Sequence, residues 1–227
     1  MVAVQRMSDA DHQRVSQAIA AAEASSDGEI VTMVTDLSDP YHDVALHWAV
    51  AALVAVLALS AAFYRAVEAF YDRLFGYWGA EHSVGEILFF VMVLAVLAFT
   101  VVLLVLKYMP LRLALTPGAT RQRRVRRRAI AMFKAAAERR TIGRTGILIY
   151  LSMGEHRAEI VADEAIVKVT TPECWADAMA SLVGEVREGR PAEGMVLAIE
   201  QVGEVLTQHF PRSSTDTNEI PDKLIEL

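Results

Sequence analysis

The stretch ILFFVMVLAVLAFTVVLLVL, residues 87–106, is uncharged and contains Thr100 as its only polar side chain. A second uncharged apolar run, earlier in the chain, covers residues 44–64. Each run has about 20 residues, the length that an α-helix needs to cross roughly 30 Å of hydrocarbon. The sequence therefore predicts a transmembrane helical hairpin over 44–106, with these two runs as its spans.

Charge is unevenly distributed along the 227-residue chain, which has a formal net charge of −6. Residues 1–43 hold two arginines against eight acidic residues, whereas residues 110–144 hold eleven basic residues against Glu138 alone. Basic residues near the ends of membrane helices mark the cytoplasmic side. The connection at 65–86 has only two arginines. We therefore expect this connection outside and both termini in the cytoplasm, in a multi-pass protein of the cell inner (plasma) membrane.

Several classes of function find little support in the residue pattern. The single cysteine, Cys174, excludes an intramolecular disulfide, and the six histidines match no zinc-binding spacing. The sequence shows no Gly-x-Ser-x-Gly elbow, no glycine-rich phosphate loop and no secretory signal pattern. Because the two apolar runs lack the internal charges that are typical of transport sites, we interpret them as an anchor.

Outside the apolar runs, the residue pattern predicts one α/β domain. Its predicted elements are a helix at 8–24 capped by Ser8, a strand at 29–37, a helix at 119–140, strands at 145–151 and 156–162, and helices at 170–189 and 192–210, with Thr170 and Glu173 as a capping box. A strand–helix–strand order implies a parallel pair, and a tight turn implies an antiparallel third strand. We predict a small mixed sheet flanked by helices, formed by residues 1–43 and 107–211 around the inserted hairpin, with a polar C-terminal tail at 212–227.

Three segments of the soluble part resemble the TPM-domain family, often labelled TPM phosphatase. They are Asp27–Val31 (DGEIV), the stretch from Thr145 to Asp163, and Glu188–Gly194 (EGRPAEG), which precedes an amphipathic helix ending at Pro211. The tail from Asp216 to Asp222 is similar to that of the subgroup with a membrane hairpin inside the domain. The resemblance implies a small α/β domain, a Ca²⁺ site in some relatives and a weak acid phosphatase activity. Members are more usually secreted or periplasmic with a single anchor, a pattern from which this chain departs.

Four acidic residues are predicted to meet at one edge of the sheet. Asp27 and Glu29 lie at the start of the first strand, and Asp163 and Glu164 at the end of the antiparallel third strand. Ca²⁺ prefers about six to eight oxygen ligands from carboxylates and carbonyls. We therefore expect these four acidic residues to form a Ca²⁺ site. The alternative is that Asp163 caps a turn and Glu29 lies on a solvated strand face.

The opposite edge is predicted to hold Asp36, Asp39 and Glu155, in a structural or electrostatic role near a group of arginines. This group, called the arginine cluster below, consists of Arg121, Arg123, Arg124, Arg126, Arg127 and Arg128. Directly after a membrane span, such a cluster favours contact with anionic lipid headgroups, worth about 1 kcal/mol per basic residue. Nucleic-acid binding is disfavoured, because residues 119–132 contain no aromatic side chain for base stacking.

The leading functional hypothesis is a membrane-anchored cytoplasmic TPM-like module that acts as an interaction or assembly factor for other membrane proteins and binds Ca²⁺. The alternative is a weak metal-dependent phosphatase that uses Asp27, Glu29, Asp163 and Glu164. A lipid-surface sensor built on the arginine cluster is compatible with both. The non-catalytic hypothesis leads because no dedicated nucleophile or metal-pair motif is visible in the sequence.

Overall fold

A computed structural model describes residues 7–75, 82–136, 145–213 and 221–227. Its α-helices are α1 (Asp9–Glu23), α2 (His42–Ala62), α3 (Tyr64–Phe75), α4 (Val84–Val105), α5 (Met109–Ala114), α6 (Gly118–Ala136), α7 (Glu164–Val169), α8 (Ala176–Arg187) and α9 (Pro191–His209). Its strands are β1 (Glu29–Thr35), β2 (Gly146–Ser152), β3 (Arg157–Ala162) and β4 (Leu224–Glu226). The chain divides into two compact units. The helical unit includes Tyr41–Pro117, and the sheet unit combines Val2–Pro40 with Gly118–Leu227.

The sheet unit is built around a four-stranded mixed sheet in the order β3-β2-β1-β4. β1 pairs in parallel with β2 and with β4, and β2 pairs antiparallel with β3. Every residue of β1 and β2 is buried, as expected for strands that are covered by helices on both faces. The predicted small mixed sheet flanked by helices is therefore confirmed.

Alternate residues of β1 and β2 contribute to two apolar cores, one on each face of the sheet. On one face, Ile30 and Ile149 belong to a core that includes residues of α1, α8 and α9. On the other face, Val31 and Tyr150 pack with α6 through Phe133 and its helical neighbours. The two faces explain why the second predicted strand reads as a nearly continuous apolar run rather than an alternating one.

The first helix of the sheet unit begins as the sequence predicts. The hydroxyl of Ser8 accepts a hydrogen bond from the backbone N–H of Asp11 at 3.2 Å, and the Asp11 carboxylate accepts one from the backbone N–H of Ser8 at 3.0 Å. This reciprocal capping box satisfies two backbone donors at the start of α1. Val15 and Ile19 then lie one turn apart on the buried face of the helix.

The capping box predicted at Thr170 and Glu173 is wrong. A short helix that the sequence analysis missed, α7, ends just before Thr170, and the Thr170 hydroxyl donates to the carbonyl oxygen of Ile166 at 2.8 Å. The next helical segment starts with a 3₁₀ turn at Pro172–Trp175 and becomes α-helical only in α8. Thr170 therefore closes one helix instead of opening the next.

The predicted polar tail contributes a strand that the sequence analysis also missed. Leu224 pairs with Thr32 and Glu226 with Val34, which adds β4 in parallel beside β1. Leu224 is buried in the core, and the backbone N–H of Leu227 donates to the carbonyl oxygen of Val34 at 2.9 Å. The tail therefore completes the sheet along the free side of β1.

The helical unit consists of α2 to α5, and it lies in sequence between β1 and α6. α2 and α4 pack against each other and are long and apolar enough to cross a membrane, by length and composition. Most of their side chains are exposed. On the connecting helix α3, Tyr71 and Phe75 pack against Phe90 of α4, with ring centroids 5.2 and 6.1 Å apart. The two apolar helices are therefore an insertion into the chain of the sheet unit.

Substitution of Gly203 tests the close contact between α1 and α9. A Cβ at Gly203 would lie 2.7 Å from the Cβ of Ala22, so Gly203→Ala should cost about 1–3 kcal/mol of unfolding free energy. Gly184→Ala is the matched control, because a Cβ there meets no atom within 4 Å and alanine favours the helix by about 0.5–1 kcal/mol. Thermal unfolding of the full chain in detergent should show a lower transition temperature for Gly203→Ala only. Equal shifts in the two variants would contradict the packing.

Candidate functional site

The starts of β1 and β2 and the end of β3 lie at one edge of the sheet, called the acidic edge below. Glu29 pairs with Gly146 in the β1–β2 register, and the backbone N–H of Asp163 donates to the carbonyl oxygen of Gly146 at 2.9 Å. Glu29 and Asp163 therefore lie on either side of Gly146 across the sheet. Glu29 is only 5% exposed, so it does not lie on a solvated strand face.

The other two predicted acids also lie at the acidic edge, and each has a partner of its own. The Asp27 carboxylate accepts a hydrogen bond from the backbone N–H of Ser213 at 2.6 Å. Glu164 forms an ion pair with Lys168, one turn further along α7, at 2.9 Å. Strand topology thus gathers the four acids at one edge, while local contacts direct at least two of the side chains to separate neighbours.

A metal ion needs several ligands in one place. Within 7–75, 82–136, 145–213 and 221–227, no group of three or more His, Cys, Asp or Glu side chains is placed to hold one. Asp163 is the residue that precedes α7, and its carbonyl oxygen accepts from the backbone N–H of Ile166 at 3.1 Å. Calcium binding by Asp27, Glu29, Asp163 and Glu164 stays a prediction that this geometry does not test.

Glu23, the last residue of α1, is a titratable group at the acidic edge that the sequence analysis missed. Its carboxylate accepts a hydrogen bond from the backbone N–H of Ile30 at 2.7 Å. Burial raises the pKa of Glu23 from 4.5 to about 8; the Ile30 hydrogen bond lowers it, and the nearby carboxylates of Glu29 and Asp222 raise it. Glu23 therefore keeps its proton at neutral pH, next to β1 and the segment that leads into β4.

The opposite edge of the sheet, at the ends of β1 and β2, is held by ion pairs and hydrogen bonds. Arg124 Nη1 lies 2.7 Å from Asp39 Oδ1, and Arg127 Nη2 lies 3.5 Å from Asp39 Oδ2. The Glu155 carboxylate accepts from the backbone N–H of Ser38 at 3.0 Å. Asp39 thus lies next to the arginines, Glu155 binds neighbouring serines and Asp36 is exposed; the structural or electrostatic role of the three acids stays a prediction.

Helix α6 distributes the arginine cluster around its axis. The face with Val125, Ala129 and Phe133 is buried against the sheet. The exposed members of the cluster are Arg123, Arg126, Arg127 and Arg128, and the partly buried members are Arg121 and Arg124. Exposed ion pairs contribute little to stability, so the exposed arginines are the members suited to lipid headgroups. Contact with lipid stays a prediction for them.

Comparisons with known proteins support the fold alone. No family model matches the chain, and no curated protein sequence matches it. A solved structure, the NMR structure of BA42 protein from the psychrophilic bacterium Bizionia argentinensis, is similar, with a TM-score of 0.56 and 15% sequence identity. The match covers 99% of this chain and 98% of that chain. At this identity the similarity shows a shared fold and carries no information about activity.

The pH dependence of stability tests the assignment of Glu23. Because its pKa lies above the usual 4.5 in the folded chain, the folded state binds more protons between pH 4.5 and about 8. The stabilising contribution of Glu23 is fully present below pH 4.5. The free energy of unfolding should therefore fall as the pH rises from 4.5 to about 8. Glu23→Gln keeps an acceptor for the Ile30 N–H and cannot ionise, so it should flatten this dependence and exceed the wild type in stability at about pH 8.

Urea unfolding of the full chain in detergent, at several pH values, measures this effect. The matched control is Glu204→Gln, a change at an exposed carboxylate on α9, which should leave the dependence on pH as in the wild type. A Glu23→Gln variant with the wild-type dependence would show that Glu23 is ionised in the folded chain.

Proposed function

We propose that this protein is a membrane-anchored module of the TPM type, with its sheet unit and both termini on the cytoplasmic side of the inner (plasma) membrane, and that it serves as an interaction or assembly factor for other membrane proteins. The observation that carries the proposal is the insertion of two long apolar helices, α2 and α4, between β1 and α6. The chain enters the helical unit at Tyr41 and leaves it at Pro117. Two backbone connections therefore tether the sheet unit to its anchor.

The orientation is supported by the positions of the basic residues. The connection between the two apolar helices contains only Arg65 and Arg73, whereas the arginine cluster follows α4 within about 20 residues. Its exposed members would face the anionic lipids of the cytoplasmic leaflet, which attract basic segments close to the surface. Anionic lipid is thus one partner in the proposal, and a second membrane protein is the other.

The non-catalytic role is favoured by the contacts of the acidic side chains. Asp27 accepts from the backbone of Ser213, Glu164 pairs with Lys168, and Glu155 accepts from the backbone near the end of β1. These carboxylates stabilise turns and helix ends within the sheet unit. The TPM assignment is carried by the residue resemblance described above, and Ca²⁺ at the acidic edge is proposed on the same basis.

Labelling of Cys174 tests the orientation directly. This residue is exposed, and a hydrogen bond from the backbone of Thr171 lowers the pKa of its thiol below the usual value, which increases the reactive thiolate fraction. A membrane-impermeant maleimide should label Cys174 in inside-out bacterial inner-membrane vesicles and leave it unlabelled in right-side-out vesicles.

The matched control places a thiol between the two apolar helices. Ala69 is an exposed residue of α3, so Ala69→Cys in a Cys174→Ser background should label only in right-side-out vesicles. Labelling of both positions from the same side would contradict the two-span topology. A fully reversed pattern would place the sheet unit outside the cytoplasm.

The alternative function, a weak metal-dependent phosphatase at the acidic edge, makes a different prediction for Asp163→Asn. In the interaction proposal, a membrane partner co-purifies equally with wild type and variant, and neither hydrolyses p-nitrophenyl phosphate in the presence of Ca²⁺. Hydrolysis by the wild type that falls about tenfold or more in Asp163→Asn would favour the enzyme instead. Asp36→Asn, at an exposed acid of the opposite edge, is the control and should match the wild type.

A further inference from the structure

A cavity of about 730 Å³ in the sheet unit lies apart from the acidic edge. Its walls come from the first turns of α6, from the turn and first residues of β3, and from the last turns of α8. Three arginines from these three elements line it: Arg121, Arg157 and Arg187. Because three arginines line the same cavity, an anion inside it would be attracted by all three positive charges.

The acidic residue of the lining has other contacts, whereas Glu159, which does not line the cavity, interacts electrostatically with Arg157. Of the described residues that line it, Glu155 is the only acid, and its carboxylate accepts from the backbone N–H of Ser38 and from the hydroxyl of Ser152. Arg157 is held by a hydrogen bond from its guanidinium to the side-chain oxygen of Gln122, a neutral partner. The charge of the lining is therefore positive, with three arginines against one engaged glutamate.

Arg121 provides a second, independent observation. Its Nε is buried and, within the part of the chain that the structure describes, has no hydrogen-bond partner. A buried donor without an acceptor destabilises the folded state, and more so when the group is charged. Arg121 is partly buried, so water screens its positive charge less than at the surface, and an anion in the cavity would offset that charge. The structure places Arg121 in the cavity wall, and its contact with lipid headgroups stays a prediction.

His156 stands at the same cavity in an uncommon backbone conformation. Its φ is 48°, in the left-handed region, and its backbone N–H donates to the carbonyl oxygen of Met153 at 3.1 Å. Non-glycine residues are uncommon in this region, and histidine is among the residue types that adopt it more often, here at the end of a tight turn. His156 is exposed and lines the arginine-lined cavity, so its imidazole is a further hydrogen-bonding group there.

The wall formed by α8 is apolar. Met179, Ala180 and Val183 line the cavity on this side, together with Gly184. A ligand that fits both walls has an anionic group for the arginines and a less polar body for α8. Arginine binds phosphate oxygens in a bidentate geometry that a single positive point charge does not provide.

We propose that this cavity binds a phosphate- or diphosphate-bearing ligand, with Arg121, Arg157 and Arg187 contacting the phosphate oxygens. The site is a binding site on the α6–β3–α8 side of the sheet unit, and it does not depend on the function proposed above. The ligand chemistry has two sources, a soluble phosphorylated molecule or the headgroup of a phospholipid, and the experiment separates them.

The test is titration of the full chain, in nanodiscs of neutral phosphatidylcholine, with inorganic pyrophosphate by calorimetry. Saturable binding is expected. Arg187→Ala should raise the Kd about tenfold or more, because it removes one charge-assisted contact. Arg123→Ala, which removes an exposed arginine of α6 outside the cavity, is the matched control and should leave the Kd within about twofold.

A second variant fills the cavity without changing any charge. Gly184 lines the cavity, and a Cβ there meets no atom within 4 Å, so a side chain added at this position starts in open space; Gly184→Trp should weaken pyrophosphate binding by occupying the cavity. Loss of binding in both cavity variants, with an unchanged thermal transition, supports the site. Absence of saturable binding to the wild type, or equal weakening by Arg187→Ala and Arg123→Ala, would overturn it.

The dependence of the pyrophosphate Kd on lipid composition distinguishes the two sources of the ligand. In nanodiscs with about 20% phosphatidic acid, a headgroup in the cavity would compete with pyrophosphate and raise its Kd above the value in phosphatidylglycerol nanodiscs of equal charge. Equal Kd values in the two anionic compositions would show that a phosphomonoester headgroup does not compete and would favour a soluble ligand. Both results support the cavity as a phosphate site and differ only in the molecule that supplies the phosphate.

Discussion

The parallel ladder between β1 and β2 is the constraint on which the rest of the structure depends. It joins Glu29 to Gly146 and continues without a break to Thr35 and Ser152, and it buries both strands on both faces. Since a parallel pair needs a crossover, α6 must cover one face, and the remaining apolar face is covered by α1, α8 and α9. The cost of closing a long loop rises only slowly with its length, so the helical unit fits between β1 and α6 at little expense to the ladder.

Patterns that depend on burial were readable from the sequence. The run around Ile149 lacks polar alternation, and this predicts coverage on both faces, which the structure confirms. The pattern failed where a tertiary contact decides the outcome. Thr170 and Glu173 have the spacing of a capping box, but α7 ends at this point. The Thr170 hydroxyl instead donates a hydrogen bond to a carbonyl oxygen in the last turn of α7. β4 has only three residues and is stabilised by its pairing with β1, so no local sequence pattern predicts it.

In the candidate site, too, strand topology could be predicted from the sequence, whereas the side-chain contacts could not. Strand directions predicted correctly that the ends carrying Asp27 and Asp163 share one edge of the sheet. The partner of each side chain depends on how the loops fold. The hydrogen bond from the Ser213 backbone N–H to the Asp27 carboxylate therefore could not be predicted from the sequence. Glu23 was missed because it ends a helix and its second acidic neighbour, Asp222, lies far away in the sequence. The cavity lined by Arg187 was missed for the same reason, since its arginines come from three separate elements.

The insertion of the helical unit has a consequence for synthesis. A ribosome delivers β1 before both apolar helices, and β2 only after them. During that interval Ile30 and Val34 have no ladder partner and no core to enter. An unpaired apolar strand is a template for aggregation. The nascent chain therefore has to keep β1 apart from other strands until the apolar helices have been made, and any delay in their insertion into the bilayer lengthens that exposure.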